Sequence, residues 1–255
     1  MLRSRIIPCL LIKNRGLVKT VNFDNPKYVG DPINAVKIFN EKESDEIIVL
    51  DIDATRLNRE PDYEMIKNLA IECRMPLCYG GGVKNVEQIK KIISLGVEKV
   101  AISSSALNQP SLISHAAKMV GSQSVVVIVD VKKKRFVNKY EAYTHNGTIS
   151  TKQEIVKLVK HFASLGAGEI VINSIDRDGY MNGYDLKLVE QVRDVISLPI
   201  TVLGGAGTHE HMSELVNSFG VIGAAAGSMF VFKGKYKAVL INYPSQKEKD
   251  KIITN

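Results

Sequence analysis

Glycines and hydroxyls recur in this sequence in the order that a phosphate cradle needs. Gly80-Gly81-Gly82 ends one short apolar run and Gly204-Gly205-Ala206 ends another, and segments of helical pattern follow, Asn85 to Ser94 and His209 to Asn217. Glycine lets a ligand approach the backbone, and a helix start offers N–H groups without intrahelical acceptors. Ser103-Ser104 and Gly227-Ser228 stand past the next apolar run in each case and add hydroxyl donors. A single glycine pair most often marks a tight turn. The same features twice, about 120 residues apart, read as two cradles for one ligand with a phosphate at each end.

Carboxylates at the ends of other apolar runs add proton chemistry: Asp51, Asp130, and Asp176 and Asp178 in Asp176-Arg177-Asp178-Gly179. Aspartates in such places also cap helices and tether loops. Asp130 stands apart because Val125 to Val131 is otherwise wholly apolar, and a carboxylate there is costly unless it is paired or does work. A second set of charges precedes the runs. Arg5, Glu46, Lys99 and Glu169 alternate in sign, which ordinary surface charges also do by chance.

The runs themselves must position these groups. Ile6 to Ile12, Ile47 to Ile52, Leu77 to Tyr79, Val100 to Ile102, Val125 to Val131, Glu169 to Ser174, Ile200 to Leu203 and Val221 to Ala225 alternate with helical segments. That pattern predicts α/β architecture, a single (β/α)8 barrel over residues 1–255 with strand carboxyl ends around one mouth. The halves match in order. Ile6 to Lys13 lies over Val125 to Lys132, Leu50-Asp51-Ile52-Asp53 over Asn173-Ser174-Ile175-Asp176, Gly80-Gly81-Gly82 over Gly204-Gly205-Ala206, and Ala101 to Ser104 over Ala225 to Ser228. Two half-barrels, about 1–120 and 121–245, are the expectation, with Leu11 as the partner of Asp130.

Composition narrows the class. At 255 residues, with 45% hydrophobic and 24% charged content, the chain can bury one large core. No apolar window approaches a membrane span and no secretory signal opens the chain, so a cytoplasmic protein without membrane contact is expected. Cys9, Cys73 and Cys78 are an odd, unclustered set, read as reduced and mostly buried, with no metal site. The net charge of +7 is spread out and suits anionic small molecules better than nucleic acid; its one basic run, Lys132-Lys133-Lys134-Arg135, is read as a solvated loop. The lysine-rich tail from Ser245 is read as a frayed helix or disordered peptide.

Over nearly its whole length the sequence resembles the cyclase subunit of imidazole glycerol phosphate synthase, the partner of a glutaminase in histidine biosynthesis. The resemblance rests on Arg5-Ile6-Ile7 with Cys9-Leu10, Val18-Lys19 with Asn22-Phe23, Gly30-Asp31-Pro32, Asp45-Glu46 and Gly80-Gly81-Gly82. It continues through Gly166-Ala167-Gly168-Glu169-Ile170, Ser174 to Gly179, Gly183-Tyr184-Asp185 and Gly204-Gly205-Ala206-Gly207. It implies a glutaminase docked on the amino-terminal face, an ammonia gate of Arg5, Glu46, Lys99 and Glu169, and a substrate with two phosphates. It further implies that Lys19 sits on a mobile loop closing the mouth and that Asp130 is one of two acid-base catalysts, with no cofactor.

The other catalytic aspartate falls on Leu11, which cannot carry a proton. Ser103-Ser104 replaces the family's Asn-Thr, and Thr20 replaces the glycine after the loop lysine. A kept gate beside an altered reaction centre looks like the paralogues of surface-polysaccharide pathways, which feed ammonia to a separate sugar amidotransferase. Three alternatives stay open: an authentic synthase subunit in which Asp51, Asp130 or Asp176 covers for the missing acid; a non-catalytic adaptor that docks and activates the glutaminase; and the related single-chain sugar-phosphate isomerase. The charged ring and the segment around Lys19 speak against the last.

Overall fold

The computed structural model describes residues 3–134 and 139–254. Eight parallel strands close into a barrel: Arg5–Lys13, Ile47–Asp51, Leu77–Gly80, Lys99–Ile102, Val125–Lys133, Glu169–Ser174, Ile200–Leu203 and Gly223–Ala226. They are called first to eighth below. Each pairs with its neighbours in chain order, the eighth pairs with the first, and the fourth-to-fifth and eighth-to-first pairings bridge the two halves. The expected α/β barrel is therefore present. Its eighth strand starts later than the apolar run, at Gly223, and Val221 is left exposed.

Alternation along the strands splits the core into two compartments. Outward residues pack under helices such as Pro32–Glu41, Val86–Ser94, Ile155–Ser164 and His209–Phe219. Inward residues, among them Ile7, Cys9, Ile48, Cys78, Ala101, Val126, Ile128, Val171 and Ala225, line an apolar lumen. The helices start where their caps dictate: the side chains of Asp31, Asp62, Asn85, Asp185 and Thr208 each accept from a backbone N–H of the first turn.

Two antiparallel hairpins rise from the barrel where loops were expected. Gly16–Val21 pairs with the end of the first strand and with Asp24–Gly30, so Lys19 lies within a strand. Tyr140–Thr144 pairs with the end of the fifth strand and with Ile149–Glu154. The first hairpin is made by two-residue turns with left-handed backbone, Asn14-Arg15 and Asn22-Phe23, and the second turns over four residues, 145–148, with His145, Asn146 and Gly147 at positive φ. Paired positive φ angles match the strand twist and make such hairpins tight. The basic run is likewise no loop at its start: Lys132 and Lys133 belong to the fifth strand and Lys134 pairs with Glu141, while Arg135 lies outside the described residues.

The tail also departs from expectation. Gln246–Thr254 is a helix packed on the barrel's amino-terminal end, with Ile252 buried and Lys249 reaching Asp45 (3.0 Å) and the carbonyl of Glu43 (2.9 Å). Ile252 and the buried Lys249–Asp45 ion pair hold the helix where composition alone suggested fraying. Cys9 and Cys78 are buried, Cys73 is half-buried, and all three are free thiols. Among the described residues no helix is long and apolar enough to cross a membrane.

Candidate functional site

The strand carboxyl ends surround one cavity. Lys19, Asp51, Gly81, Gly82, Ser103, Ser104, Asp130, Asp178, Gly179, Gly204, Gly205, Gly227 and Ser228 all line it. Asp176 does not. It is exposed on the short turn Ile175–Arg177, and its carboxylate is turned back to accept from the backbone N–H of Lys133 at 2.8 Å. Buried Ile175 anchors that turn and leaves the next side chain on the outside.

The two ends of the cavity are built alike. Gly81 and Gly205 have φ near +120° and +111°, and a Cβ on either would meet a backbone oxygen, that of Asp51 at 2.5 Å or of Gly183 at 2.1 Å. Glycine is therefore required by space as well as by conformation. The helix starts at Val86 and His209, read from sequence as anion sites, are already capped by Asn85 and Thr208. Ser104–Asn108 and Ser228–Val231 have no side-chain cap, and Ser104 and Ser228 line the cavity beside the glycines. These uncapped helix starts follow one βα unit later than the helices singled out from sequence.

The walls between these ends differ. Asp130 and Asn173 are register partners on the fifth and sixth strands, and Asn173 Nδ2 donates to Asp130 Oδ1 at 2.9 Å. Burial pushes the Asp130 carboxyl up to about 7; the Asn173 hydrogen bond opposes this and the charge of Asp178 adds to it. Asp178 accepts from the Thr20 hydroxyl at 2.9 Å and the Phe23 N–H at 3.2 Å, which fastens the first hairpin over the mouth. Burial raises its pKa too, against those two bonds and Lys19. The Lys19 ammonium donates to the Cys9 carbonyl, and burial pulls its pKa down. Across from Asp130, Leu11 is the register partner of Leu50, and both face the cavity. Asp51 Oδ1 accepts from the N–H groups of Asp53 and Ala54, both at 3.0 Å, so it shapes the loop after the second strand.

At the opposite end of the lumen the four expected charges meet in a closed ring. Arg5 bonds Glu46 and, through Nη2, Glu169 Oε1 at 2.7 Å. Lys99 Nζ bonds Glu46 Oε1 and Glu169 Oε2, both at 2.8 Å. Burial would raise the Glu169 carboxyl, but Arg5 and then Lys99 hold it well below its ordinary range. Thr201 donates its hydroxyl to Glu169 Oε1 at 2.6 Å and completes the layer. Sequence reasoning missed Thr201 and Asn173. Both are polar residues inside apolar strands, the same signal that singled out Asp130.

A family model described as "Histidine biosynthesis protein" matches residues 5–237. A Vibrio vulnificus protein, provisionally named imidazole glycerol phosphate synthase subunit hisF3, is 56% identical over 253 residues, 99% of this chain and 97% of its own. A Pseudomonas aeruginosa protein with the provisional name subunit hisF2 is 52% identical over 250 residues, covering 98% of this chain and 99% of its own. The imidazole glycerol phosphate synthase subunit HisF of Streptococcus sanguinis is 40% identical over 230 residues, 90% of this chain and 91% of its own.

Proposed function

From the premise that this chain belongs to the histidine biosynthesis protein family, among the cyclase-type subunits of imidazole glycerol phosphate synthase, we propose that it conducts ammonia from a partner glutaminase to an altered reaction centre. The observation that carries this reading is one axis: a charged ring, an apolar lumen and a mouth with Asp130 on one wall and Leu11 on the other.

Each segment of the axis has a physical task. The glutaminase docks on the amino-terminal face, around the ring. Lys99 is the mobile member, a single flexible stem holding two carboxylates, and its displacement opens the way. Ile7, Cys9, Ile48 and Ala225 offer neutral ammonia a passage that disfavours ammonium, since a charge without partners is expensive there. At the mouth, the glycines with the Ser104 and Ser228 helix starts hold the two phosphates of a sugar-phosphate ligand. Asp130, poised at about 7, moves protons. No acid faces it from position 11.

The reading places this chain with paralogues that serve a surface-polysaccharide amidotransferase, and the numbered names of the relatives at 52% and 56% identity fit an additional copy. Asp178, on the same wall as Asp130, favours one second reading, an authentic synthase subunit in which it replaces the missing acid. Leu11→Asp separates the two. General acid-base catalysis contributes about 10²–10⁴-fold, so restoring the carboxyl raises imidazole glycerol phosphate formation by roughly that factor. Imidazole product formed at an ordinary rate by the parent and unchanged by Leu11→Asp supports the authentic synthase.

A further inference from the structure

Asn173 is buried, 5% exposed, at the level where the lumen meets the mouth. Its Nδ2 is committed to Asp130, yet its Oδ1 is buried without a hydrogen-bond partner among the described residues. A buried amide oxygen with no donor is costly. Its surroundings make the orphan more telling. A Cβ placed on Gly204 would lie 3.1 Å from Asn173 Oδ1 and 2.6 Å from the carbonyl oxygen of Ser174, so the two oxygens border one spot. An amide turned half-way round would direct N–H toward that carbonyl and oxygen toward Asp130.

We infer that Asn173 is a positioning residue that serves Asp130 in both of its protonation states, donating to the carboxylate and, after a half-turn of its amide, accepting from the neutral acid. A carboxylate is acceptor-only and a carboxylic acid has one donor, so a fixed donor suits one state and opposes the other. A carboxamide suits either. The Asp130 carboxyl is half-buried and titrates near 7, so both states are populated at working pH.

The other groups around Asp130 do not duplicate this role. Asp178, from the turn after the sixth strand, repels its charge. Lys19, from the first hairpin, is committed to the Cys9 carbonyl, and the Cys9 thiol is held neutral, its pKa pushed up to about 12 by burial. Asp51 is occupied by its own loop, and His145, from the second hairpin, faces its neighbour Thr144 at 3.0 Å. The remaining strands present Leu11, Ile128, Leu203 and the Ser103 and Ser104 segment.

The inference deepens the reading of Asp130 as the acid-base group, but its test needs no turnover. The full chain is labelled with 13C at the aspartate carboxyl and 15N at the asparagine amide, with Asp130→Asn identifying the Asp130 signal. The expected result is that the Asn173 amide signals titrate with the Asp130 midpoint and stop titrating in Asp130→Asn. Asn173→Leu removes a bond from each protonation state, so the Asp130 midpoint stays within about half a pH unit of the parent, whereas loss of a fixed donor would raise it by about one unit, roughly ten-fold in proton affinity. Flat Asn173 amide signals through the Asp130 titration, or a midpoint raised by a full unit in folded Asn173→Leu, overturn the inference. If Asn173→Leu does not fold, the amide titration of the unaltered chain decides. An Asp130→Asn chain with full activity would sink the acid-base reading while leaving the titration result in force.

Discussion

Asp130 and Leu11 occupy matching places in the two halves of the chain, and the difference between them sets the chemistry. The fifth strand holds a carboxyl that burial drives up to about 7, while the first presents a methyl cluster to the same cavity. The raised value has a consequence for stability. Unfolded, Asp130 loses its proton near the ordinary 3.8, whereas folded it keeps it to about 7. Its contribution is therefore fully present below the lower value and is lost as pH rises through the higher one. Each pH unit of that window is worth at most about 1.4 kcal/mol. Asp130→Asn removes the loss, so the variant melts higher than the parent at pH 8 by about 2–4 °C for each kcal/mol relieved. The two melt alike near pH 4. A variant that melts lower than the parent at pH 8 would show that the ionised carboxylate is stabilised in place.

Asp130 was legible from sequence because a charge in a wholly apolar run has few explanations. Asn173 and Thr201 carried a weaker form of the same signal, since neutral polar residues inside strands are common. Asp176 shows the limit of strand-end arithmetic. One residue past the sixth strand the backbone turns, and the side chain leaves the mouth for the edge of the fifth strand.

Elements with a regular alternation were readable, and those held together by turns or by a few distant contacts were not. The eight barrel strands followed from apolar runs. The hairpins Gly16–Gly30 and Tyr140–Glu154 were hidden, because their strands are short and mostly polar outside Leu17, Val18 and Tyr140, and the tight turns of the first use Asn-Arg and Asn-Phe rather than glycine. The helix Gln246–Thr254 was hidden for a different reason. Lys249 is a solubility residue by composition, but here it is buried against Asp45, whose Oδ2 accepts from the Ile6 N–H at 2.9 Å. Tyr243 donates to the Ile6 carbonyl at 2.8 Å and so ties the same segment down. Removing one partner of a buried pair costs about 3–5 kcal/mol. Lys249→Met accordingly lowers the melting temperature by ~6–20 °C. No change in a thermal melt would mean that the helix contributes little to the fold.

For the molecule as a whole, we read the chain as two copies of one half-barrel. In each copy a long strand leads into a hairpin, a helix and three further βα units. Such a doubling explains why the glycine turns and the uncapped helix starts recur in the same order in each half. The ring at the other end has no such symmetry: Arg5, Glu46 and Lys99 come from the first half and Glu169 from the second, with Thr201 beside it. Its four charges were visible in sequence only as alternating signs, and their meeting at the barrel's axis depends on strand register.

We propose that this barrel delivers ammonia but performs the histidine-pathway cyclisation poorly. The direct measurement combines the purified chain with its neighbouring glutaminase, glutamine and the ribulosyl-phosphate intermediate of histidine synthesis, and follows glutamate and imidazole glycerol phosphate together. Glutamate released by the complex with little imidazole product is the expected result; imidazole product formed at an ordinary rate, in step with glutamate, would contradict it.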